Sequence, residues 1–439
     1  MIDSWLRGFE TFSRNGAASA PLWARSLRLS GITRFEQLGF PDTRNEDWHF
    51  TSVAPLAERE FLPLTAGTAR VTAAQLSPFT FGATDWHTLV FVNGRFDAEL
   101  SSTASLPDGV DVMSLARAYD EMPVLLEQHV GRIASIDAHS FTALNTAFIN
   151  DGAVVHVRQD VEVARPIHLL FVSDAGAVDG VTQPRNLIVL DRFAKATVIE
   201  SYVNVARGAG AYFTNTVTEA TVAEGATLTH LKLQRESAQA YHVGTLDVRQ
   251  ARDSHLVSFS FAIGALLSRT NTYTELRGEG CGATLNGLYL GDDEQTIDHQ
   301  TRIEHVEPNC YSRELYKGIL DGASHGVFNG KVYVHPEAQK TDGKQTNNTL
   351  LLSERAKIDT KPQLEIFADD VKCTHGATVG RLDDNAMFYL NSRGIGKEAA
   401  RTLLTYAFAA DVLEMIELEP LKHALEAMVL ARFSEPVTD

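Results

Sequence analysis

Apolar and polar residues alternate in short runs through the middle of the chain, from about residue 141 to residue 392. Runs such as VVHV, NLIVL, ATVIESYV, TLTHLKL and HLVSFSFAI are rich in β-branched and aromatic residues, and turn residues separate them. An alternation with a period of two predicts strands that turn one face toward a core. Few helical patterns intervene, so this part of the chain is predicted to be mainly β.

The strand pattern repeats faintly. Triplets that begin at Ala196, Ala226, Ser254 and Ala283 each open a strand, and they lie 30, 28 and 29 residues apart. A period in this range predicts a solenoid in which each coil covers its neighbour. Several strands per repeat without helices favour a β-helix over a leucine-rich horseshoe. The alternative is a large β-sandwich, which should show hairpin turns every 8–12 residues.

Both ends of the chain carry helical patterns. Residues 116–130 have apolar residues at helical spacing, with Pro123 placed to begin a new helix, whereas residues 89–96 (LVFVNGRF) predict a strand that runs into an Asn-Gly turn. Residues 397–416 and 421–433 predict two helices, which either cap the last coil or dock a partner. We therefore expect a mainly helical N-terminal domain (1–140), a β-helix core (141–394) and a C-terminal helical domain (395–439).

Composition narrows the function. The chain has 439 residues and a formal net charge of −17, which argues against nucleic-acid binding because that needs clustered Lys and Arg. No apolar run reaches the eighteen or so residues of a membrane helix, and no signal peptide is evident. Three cysteines do not make a disulfide framework, so we expect a cytoplasmic protein. The chain has no GxxxxGK[ST] loop, so we expect no ATPase activity and no enzyme.

Cys373 and His375 form the strongest candidate site. They lie two residues apart, so on a strand their side chains share a face, with Cα atoms roughly 6–7 Å apart. Thiolate and imidazole both suit iron and zinc. Two ligands do not close a metal site, so a partner chain or another ligand would complete it. The alternative is simple packing, because free cysteine is often buried.

Other candidates have more ordinary interpretations. His299, Thr301, Ile303 and His305 share one face of a strand, which suits either a metal site or a hydrogen-bonded ladder inside the solenoid, and we favour the ladder. Cys281 and Cys310 are interpreted as packing residues. Asp369 and Asp370 would point to opposite faces of a strand, so they should not chelate a cation together, and one of them should pair with Lys372.

Several motifs resemble one family. They are RNEDWHFT (44–51), FTALNTAFINDG (141–152) followed by Pro166 and Ile167, the segment 298–341 with DHQTRIEH, GVFNGKVYV and AQKT, LEIFADDVKCTHGATVG (364–380), and FYLNSRG (388–394). Together they resemble the SufB/SufD family, the β-helical subunits of the SUF iron–sulfur cluster assembly complex, and they are most similar to its SufD branch. The blocks span about residues 40–420, and residues 1–40 match little.

The resemblance implies a right-handed parallel β-helix that works as a non-ATPase subunit. It implies a SufB-like β-helical partner and a SufC-like ABC-type ATPase. It also implies transient iron or an iron–sulfur cluster, with His375 as the better ligand, Cys373 as a second ligand or sulfur-handling thiol, and further ligands from the partner. No cofactor is expected to stay tightly bound to the isolated chain, which could pair with itself when no partner is present. The candidate ATPase-docking residues are Tyr389, Arg393, Gly394, Ala399, Leu403 and Tyr406.

Three other functions remain open. The nearest is a SufB-type scaffold that carries the nascent cluster itself. A more distant one is a β-helical enzyme that acts on polysaccharide, although the chain shows neither an export signal nor a cluster of acids. The third is a purely structural subunit, which the sequence does not distinguish from one that contributes ligands.

Overall fold

The computed structural model describes residues 2–15, 20–63, 71–103, 106–174, 179–206 and 210–433. Its helices are α1 (Ile2–Asn15), α2 (Leu22–Leu38), α3 (Ala54–Ala57), α4 (Ala73–Leu76), α5 (Leu115–Glu121), α6 (Pro123–His129), α7 (Ser140–Ala147), α8 (Asp384–Ser392), α9 (Lys397–Leu413) and α10 (Glu419–Phe433), with short 3-10 turns at Glu46–Trp48 and Ser77–Phe79. Residues 434–439, which belong to the predicted C-terminal domain, lie outside the described residues.

The strands are short at first and then settle at about ten residues. They are β1 (Leu62–Pro63), β2 (His87–Val92), β3 (Arg95–Ser102), β4 (Val110–Ser114), β5 (Ala153–Val157), β6 (Ile167–Ser173), β7 (Gly180–Thr182), β8 (Arg185–Leu190), β9 (Lys195–Asn204), β10 (Tyr212–Val222), β11 (Thr227–Glu236), β12 (Tyr241–Gln250), β13 (His255–Gly264), β14 (Leu267–Leu276), β15 (Gly282–Gly291), β16 (Thr296–His305), β17 (Tyr311–Leu320), β18 (His325–Val334), β19 (Asp342–Leu351), β20 (Lys357–Ile366) and β21 (Lys372–Gly380).

From β8 onward, successive strands alternate between two parallel sheets that face each other. Sheet A has the order β20-β18-β16-β14-β12-β10-β8-β5-β4, and sheet B has the order β21-β19-β17-β15-β13-β11-β9-β6-β2-β3. Each coil gives one strand to each sheet, and every neighbour along the stack from β8 and β9 is parallel. The predicted β-helix is therefore confirmed. The sandwich alternative is wrong, because antiparallel pairing is confined to β2 with β3 and to β4 with β5 among the described pairs, and only the first of these is a hairpin.

The repeat length was predicted well, but its register was not. Leu228 pairs with Ala196, Leu256 with Leu228, and Ala283 with Leu256, so these coils are 32, 28 and 27 residues long. The predicted triplets were misaligned by two residues in two of the three steps. A shift of two leaves every side chain on the same face of its strand, so the apolar pattern cannot detect it.

The end regions agree with several local predictions. Pro123 begins α6, and β2 and β3 form an antiparallel pair around the Asn93-Gly94 turn. β2, β3 and β4 join the two large sheets although they precede residue 140, and α8 lies before residue 394. The division into regions 1–140, 141–394 and 395–439 stays a prediction. Within the described part of the chain, no helix has the length and hydropathy needed to cross a bilayer.

The RNEDWHFT motif holds the N-terminal segment against sheet A. The guanidinium of Arg269 on β14 lies 3.7 Å from the ring centre of Trp48 and donates to the carbonyl oxygen of Asp47 at 2.6 Å. It also pairs with Asp298 at 2.8 Å, and Thr51 donates to the same carboxylate at 2.6 Å. The planar guanidinium of Arg269 thus stacks on an aromatic ring and bonds polar groups at the same time. This explains why the RNEDWHFT motif combines Trp48 with polar neighbours.

The C-terminal helices pack along the side of sheet B and do not cover the end of the solenoid. Ala409 and Val412 of α9 are buried with Leu288 and Ile319 of sheet B. In addition, Lys317 of β17 donates to the carbonyl oxygen of Phe408 at 2.8 Å. The capping interpretation of these helices is therefore wrong, and the last coil is left open.

His299 illustrates how the solenoid interior uses polar residues. Its ring lies 5.2 Å from both Tyr289 and Tyr316, and its Nε2 is 3.3 Å from the hydroxyl of Ser260. His305 is also buried and contacts the hydroxyl of Ser312 at 2.9 Å. His299 and His305 are therefore buried and each contacts a serine hydroxyl, as the ladder interpretation predicts. Burial lowers the pKa of His299 to about 3, with a smaller contribution from Lys232.

We predict that His299 makes the fold sensitive to acid. Between pH 6.5 and 3 the unfolded chain binds a proton at this histidine and the folded chain does not, so stability falls as the pH falls. From pH 7 to pH 5 the loss should be about 2 kcal/mol from His299 alone. Urea unfolding of the wild type and of His299→Phe at both pH values measures it. An equal loss of stability in the two proteins would contradict the prediction.

Candidate functional site

The last coil of the solenoid, formed by β20 and β21, is an open end. β20 is the outermost strand of sheet A and β21 that of sheet B, so each leaves one row of backbone N–H and C=O groups unpaired among the described residues. Apolar side chains are exposed beside it: Phe367 is 56% exposed and Val379 is 50% exposed. Unpaired strand edges with exposed apolar residues are surfaces that proteins cover with a further strand or a partner.

Cys373 and His375 both point into the interior of this open end. In the register of sheet B, Cys373 pairs with Gly343 and His375 with Gln345, and these β19 residues face the buried core of the coil below. The shared face predicted from the sequence is therefore confirmed. Cys373 is half-buried and His375 is exposed, because no further coil lies above β21.

The thiol of Cys373 sits over a glycine. A Cβ placed on Gly343 would lie 3.3 Å from Cys373 Sγ and 3.4 Å from Ser312 Oγ, so the missing side chain leaves room between the thiol and the coil below. Burial raises the pKa of Cys373, and the carboxylate of Asp342 raises it further, while the N–H of Gly343 acts in the opposite direction. The free thiol is therefore a poor nucleophile and becomes a ligand only when a metal displaces its proton.

The facing strand of sheet A gives the open end an apolar lining. Thr360 and Leu364 of β20 pair with Phe328 and Val332 of β18, which are buried in the core. By the alternation of the strand, Pro362 lies on the same face. Cys373 and His375 thus face an apolar strand across the mouth of the solenoid.

Sequence reasoning missed the two residues beneath His375. Gln345 on β19 and Glu314 on β17 occupy its position in the two preceding coils of sheet B. Both are buried, and Gln345 Nε2 donates to Glu314 Oε2 at 2.7 Å. The spacings of 31 and 30 residues would have pointed to them, had the repeat register been known.

The acid pair does not lie on a strand. Asp369 and Asp370 are in the turn between β20 and β21. The carboxylate of Asp370 forms an ion pair with Lys340, and the backbone N–H of Asp370 donates to Gln339 Oε1 at 2.9 Å. The prediction that one of these aspartates pairs with Lys372 was wrong. Asp370 pairs with Lys340 because the turns of successive coils stack on each other, and residues close in sequence do not reveal that stacking.

The other histidines and cysteines near this part of the solenoid lie in separate places. His325 contacts Asp359 at 2.7 Å and His335 contacts Glu304 at 2.7 Å, each in a separate pair. Cys281 and Cys310 are buried and donate to backbone carbonyls of neighbouring turns, which confirms them as packing residues. Within the described residues, no three His, Cys, Asp or Glu side chains lie together in a way that could hold a metal ion.

The six candidate docking residues fall on or beside α8 and α9. Tyr389 is 57% exposed and Leu403 is 45% exposed, and the guanidinium of Arg393 lies 5.2 Å from the ring centre of Tyr389. Gly394 and Ala399 are also exposed. Tyr406 differs, because it is half-buried and its hydroxyl donates to Glu426 of α10 at 3.2 Å. The sequence did not single out Phe388, which is 75% exposed beside Tyr389.

The family model described as "SUF system FeS cluster assembly, SufBD core domain" matches residues 171–408, and the model of the "SufBD protein N-terminal region" matches residues 9–169. The chain belongs to the SufBD family. The first match spans the solenoid from β6 to most of α9, including Cys373 and His375, and the second includes the RNEDWHFT motif.

Relatives within the SufBD family cover nearly the whole chain. The iron–sulfur cluster assembly protein SufD of Escherichia coli is 35% identical over 403 residues, which is 90% of this chain and 89% of the relative. A SufBD family iron–sulfur cluster assembly protein of Synechocystis is 34% identical over 402 residues, 90% of this chain and 88% of the relative. SufD of Bacillus subtilis is 28% identical over 429 residues, 93% and 94% of the two chains. The predicted family resemblance is confirmed.

We predict that alkylation will report the raised pKa of Cys373. At pH 7.5 iodoacetamide should react with it more slowly than with an unperturbed exposed thiol, and the rate should keep rising beyond pH 9, because burial disfavours the thiolate. Mass spectrometry of alkylated peptides gives the rate. The Cys373→Ser variant measures any reaction at Cys281 and Cys310, the other two cysteines. A rate that reaches its plateau below pH 8 would contradict the assignment.

Proposed function

We propose that this SufBD family member is the SufD-type, non-ATPase subunit of a cytoplasmic assembly complex, in which its open end pairs with a SufB-like solenoid. The observation that supports this most directly is the uncovered last coil. It presents two unpaired strand edges, exposed apolar residues, and a thiol and an imidazole of the kinds that coordinate metals, all at one place. A homologous solenoid can continue both sheets, because its strands have the same spacing.

The proposed role of the open end is to share ligands for iron or a nascent iron–sulfur cluster, which is the cargo. His375 is the first ligand, because a neutral imidazole coordinates a metal without losing a proton. Cys373 is the second ligand, and its raised pKa keeps it protonated until the metal is close. The partner chain supplies the remaining ligands, since these two do not complete a coordination shell.

In this proposal a SufC-like ABC-type ATPase binds the exposed surface of α8 and α9. Phe388, Tyr389 and Leu403 give this surface its apolar area. Arg401 of α9 donates to Asp321 Oδ2 of the turn after β17 at 2.6 Å, and α9 also packs on sheet B, so a force on α9 is transmitted to the solenoid. Motion driven by ATP could then open the shared end. Because Tyr406 is half-buried against α10, we assign it to the packing of the helices within this surface.

A SufB-type scaffold remains the alternative within the family, since the family model covers both branches. Relatives named SufD over about nine-tenths of this chain favour the SufD assignment.

Replacing His375 should separate ligand function from assembly. We expect His375→Ala to lower iron–sulfur cluster maturation in cells at least about tenfold, because one ligand of the shared site is lost. The complex should still copurify, since the side chain contributes little to the strand edges. Thr374→Ala, on the opposite face of the same strand, is the matched control and should mature clusters normally. Full maturation by His375→Ala would exclude this ligand assignment.

The docking surface needs point variants instead of a truncation. Removing the chain after Gly394 would strip α9 and α10 from sheet B and expose Leu290 and Ile319, so the truncated solenoid should not stay intact.

Tyr389→Asp should instead release the ATPase while keeping the SufB-like subunit, because a charge in the centre of an apolar interface is left unpaired. Val124→Asp, at a residue 66% exposed on α6, is the control for a new charge at an exposed apolar site. Copurification followed by quantitative mass spectrometry gives the ATPase ratio. Equal ATPase recovery with both variants would remove this surface from the proposal.

A further inference from the structure

Glu314, Gln345 and His375 form a column along the inside of sheet B. They occupy one register position in β17, β19 and β21, so neighbouring members are separated by a single strand spacing of about 4.8 Å at their Cα atoms. Glu314 is 3% exposed and Gln345 is 1% exposed, whereas His375 is exposed at the open end. The column therefore leads from the buried core to the proposed ligand.

The carboxamide of Gln345 is held in one orientation. Its Nε2 donates to Glu314 Oε2 at 2.7 Å, in the coil below. The strand opposite makes room for it, because a Cβ placed on Gly330 of β18 would lie only 2.1 Å from Gln345 Nε2. An acceptor beneath the amide nitrogen and a glycine beside it together fix which way the carboxamide lies.

The oxygen of that carboxamide has no partner. Gln345 Oε1 is buried and makes no hydrogen bond among the described residues. A buried acceptor without a donor is destabilising, so such atoms call for an explanation. The oxygen and nitrogen of a carboxamide are bonded to the same carbon and point in different directions, so an amide that gives its nitrogen to Glu314 directs its oxygen away from that carboxylate. The next side chain in that direction along the column is His375.

We propose that Gln345 is a positioning residue for His375. Oε1 has no hydrogen bond in this structure; when the exposed imidazole turns inward, Oε1 accepts one ring N–H, which fixes the tautomer and leaves the other nitrogen free toward the mouth of the solenoid. A histidine ligand is commonly oriented in this way by a carbonyl or carboxylate behind it. Glu314 and Gly330 act indirectly: Glu314 accepts from the carboxamide nitrogen, and Gly330 leaves the space that the carboxamide occupies. The value of this arrangement for a metal rests on the proposed function, but the hydrogen bond itself does not.

The test observes the ring proton of His375 in the full chain. A ring N–H of an exposed histidine exchanges with water too fast to be seen by NMR, whereas one bonded to a buried acceptor is slowed. With histidine labelled by 15N in the ring, we expect a ring N–H signal that disappears in His375→Gln and is thereby assigned. Gln345→Met should abolish the same signal, because it removes the acceptor and keeps the length of the side chain.

A second variant displaces the acceptor without changing either partner. Gly330→Ala places a methyl group where Gln345 Nε2 lies, so Gln345 must move and the His375 signal should again be lost. Gly376→Ala is the matched control: it lies next to His375, an added Cβ meets no atom within 4 Å, and the signal should persist. Circular dichroism and thermal unfolding verify that each variant is folded.

The proposal is overturned if the wild-type chain shows no ring N–H signal that depends on His375, or if that signal survives in folded Gln345→Met. The wild type compared with His375→Gln tests whether the ring N–H is protected. Gln345→Met and Gly330→Ala then test, independently of each other, whether Gln345 is the acceptor. None of these signals depends on cluster assembly. Normal maturation in His375→Ala would refute the ligand role and would not affect the hydrogen bond. Absence of the ring N–H signal in the wild type would refute the hydrogen bond and would not affect the ligand role.

Discussion

The parallel register of the solenoid is the constraint on which the rest of the structure depends. From β8 onward, each strand satisfies the backbone hydrogen bonds of the strand one coil earlier, and each side chain stacks on its equivalent 26 to 32 residues away. A ladder of this kind has no natural end. At β20 and β21 the stacking stops, no helix or strand of the described part of the chain continues it, and the last coil carries the cost of its unpaired edges.

Position in the stack, more than residue type, distinguishes a packing histidine from a candidate ligand. His305 and His375 both point into the interior of the solenoid. His305 has a coil above it and contacts the hydroxyl of Ser312, whereas His375 has none. Cys310 and Cys373 differ in the same way: Cys310 is buried, and Cys373 is half-buried at the open end. The chemistry of the open end thus comes from ordinary interior positions that the fold leaves uncovered.

Much of the architecture could be predicted from the chain because alternation and repeat length are local properties. The strand runs, the Asn93-Gly94 turn and the shared face of Cys373 and His375 all follow from spacing along the chain. Register could not be predicted, since turns of different length shift successive coils by two residues without moving a side chain to the other face. That limitation hid Gln345 and Glu314 beneath His375 and produced the wrong partner for Asp370. The packing of α9 against Leu288 and Ile319 on the side of sheet B could not be predicted either. The spacing of apolar residues shows that a helix has an apolar face, but it does not show which surface that face covers.

The proposed interface between the open end and a homologous solenoid can be tested at a single residue of β21. Ala377 lies on the same face of β21 as Cys373 and His375 and is exposed, so a photo-crosslinking residue placed there samples this end directly. The measurement is light-induced crosslinking in cells at native expression, followed by mass spectrometry of the adduct. The account predicts a crosslink to a SufB-like β-helical protein. Adducts only to a second copy of this chain, or none at all while that protein is present, would contradict it.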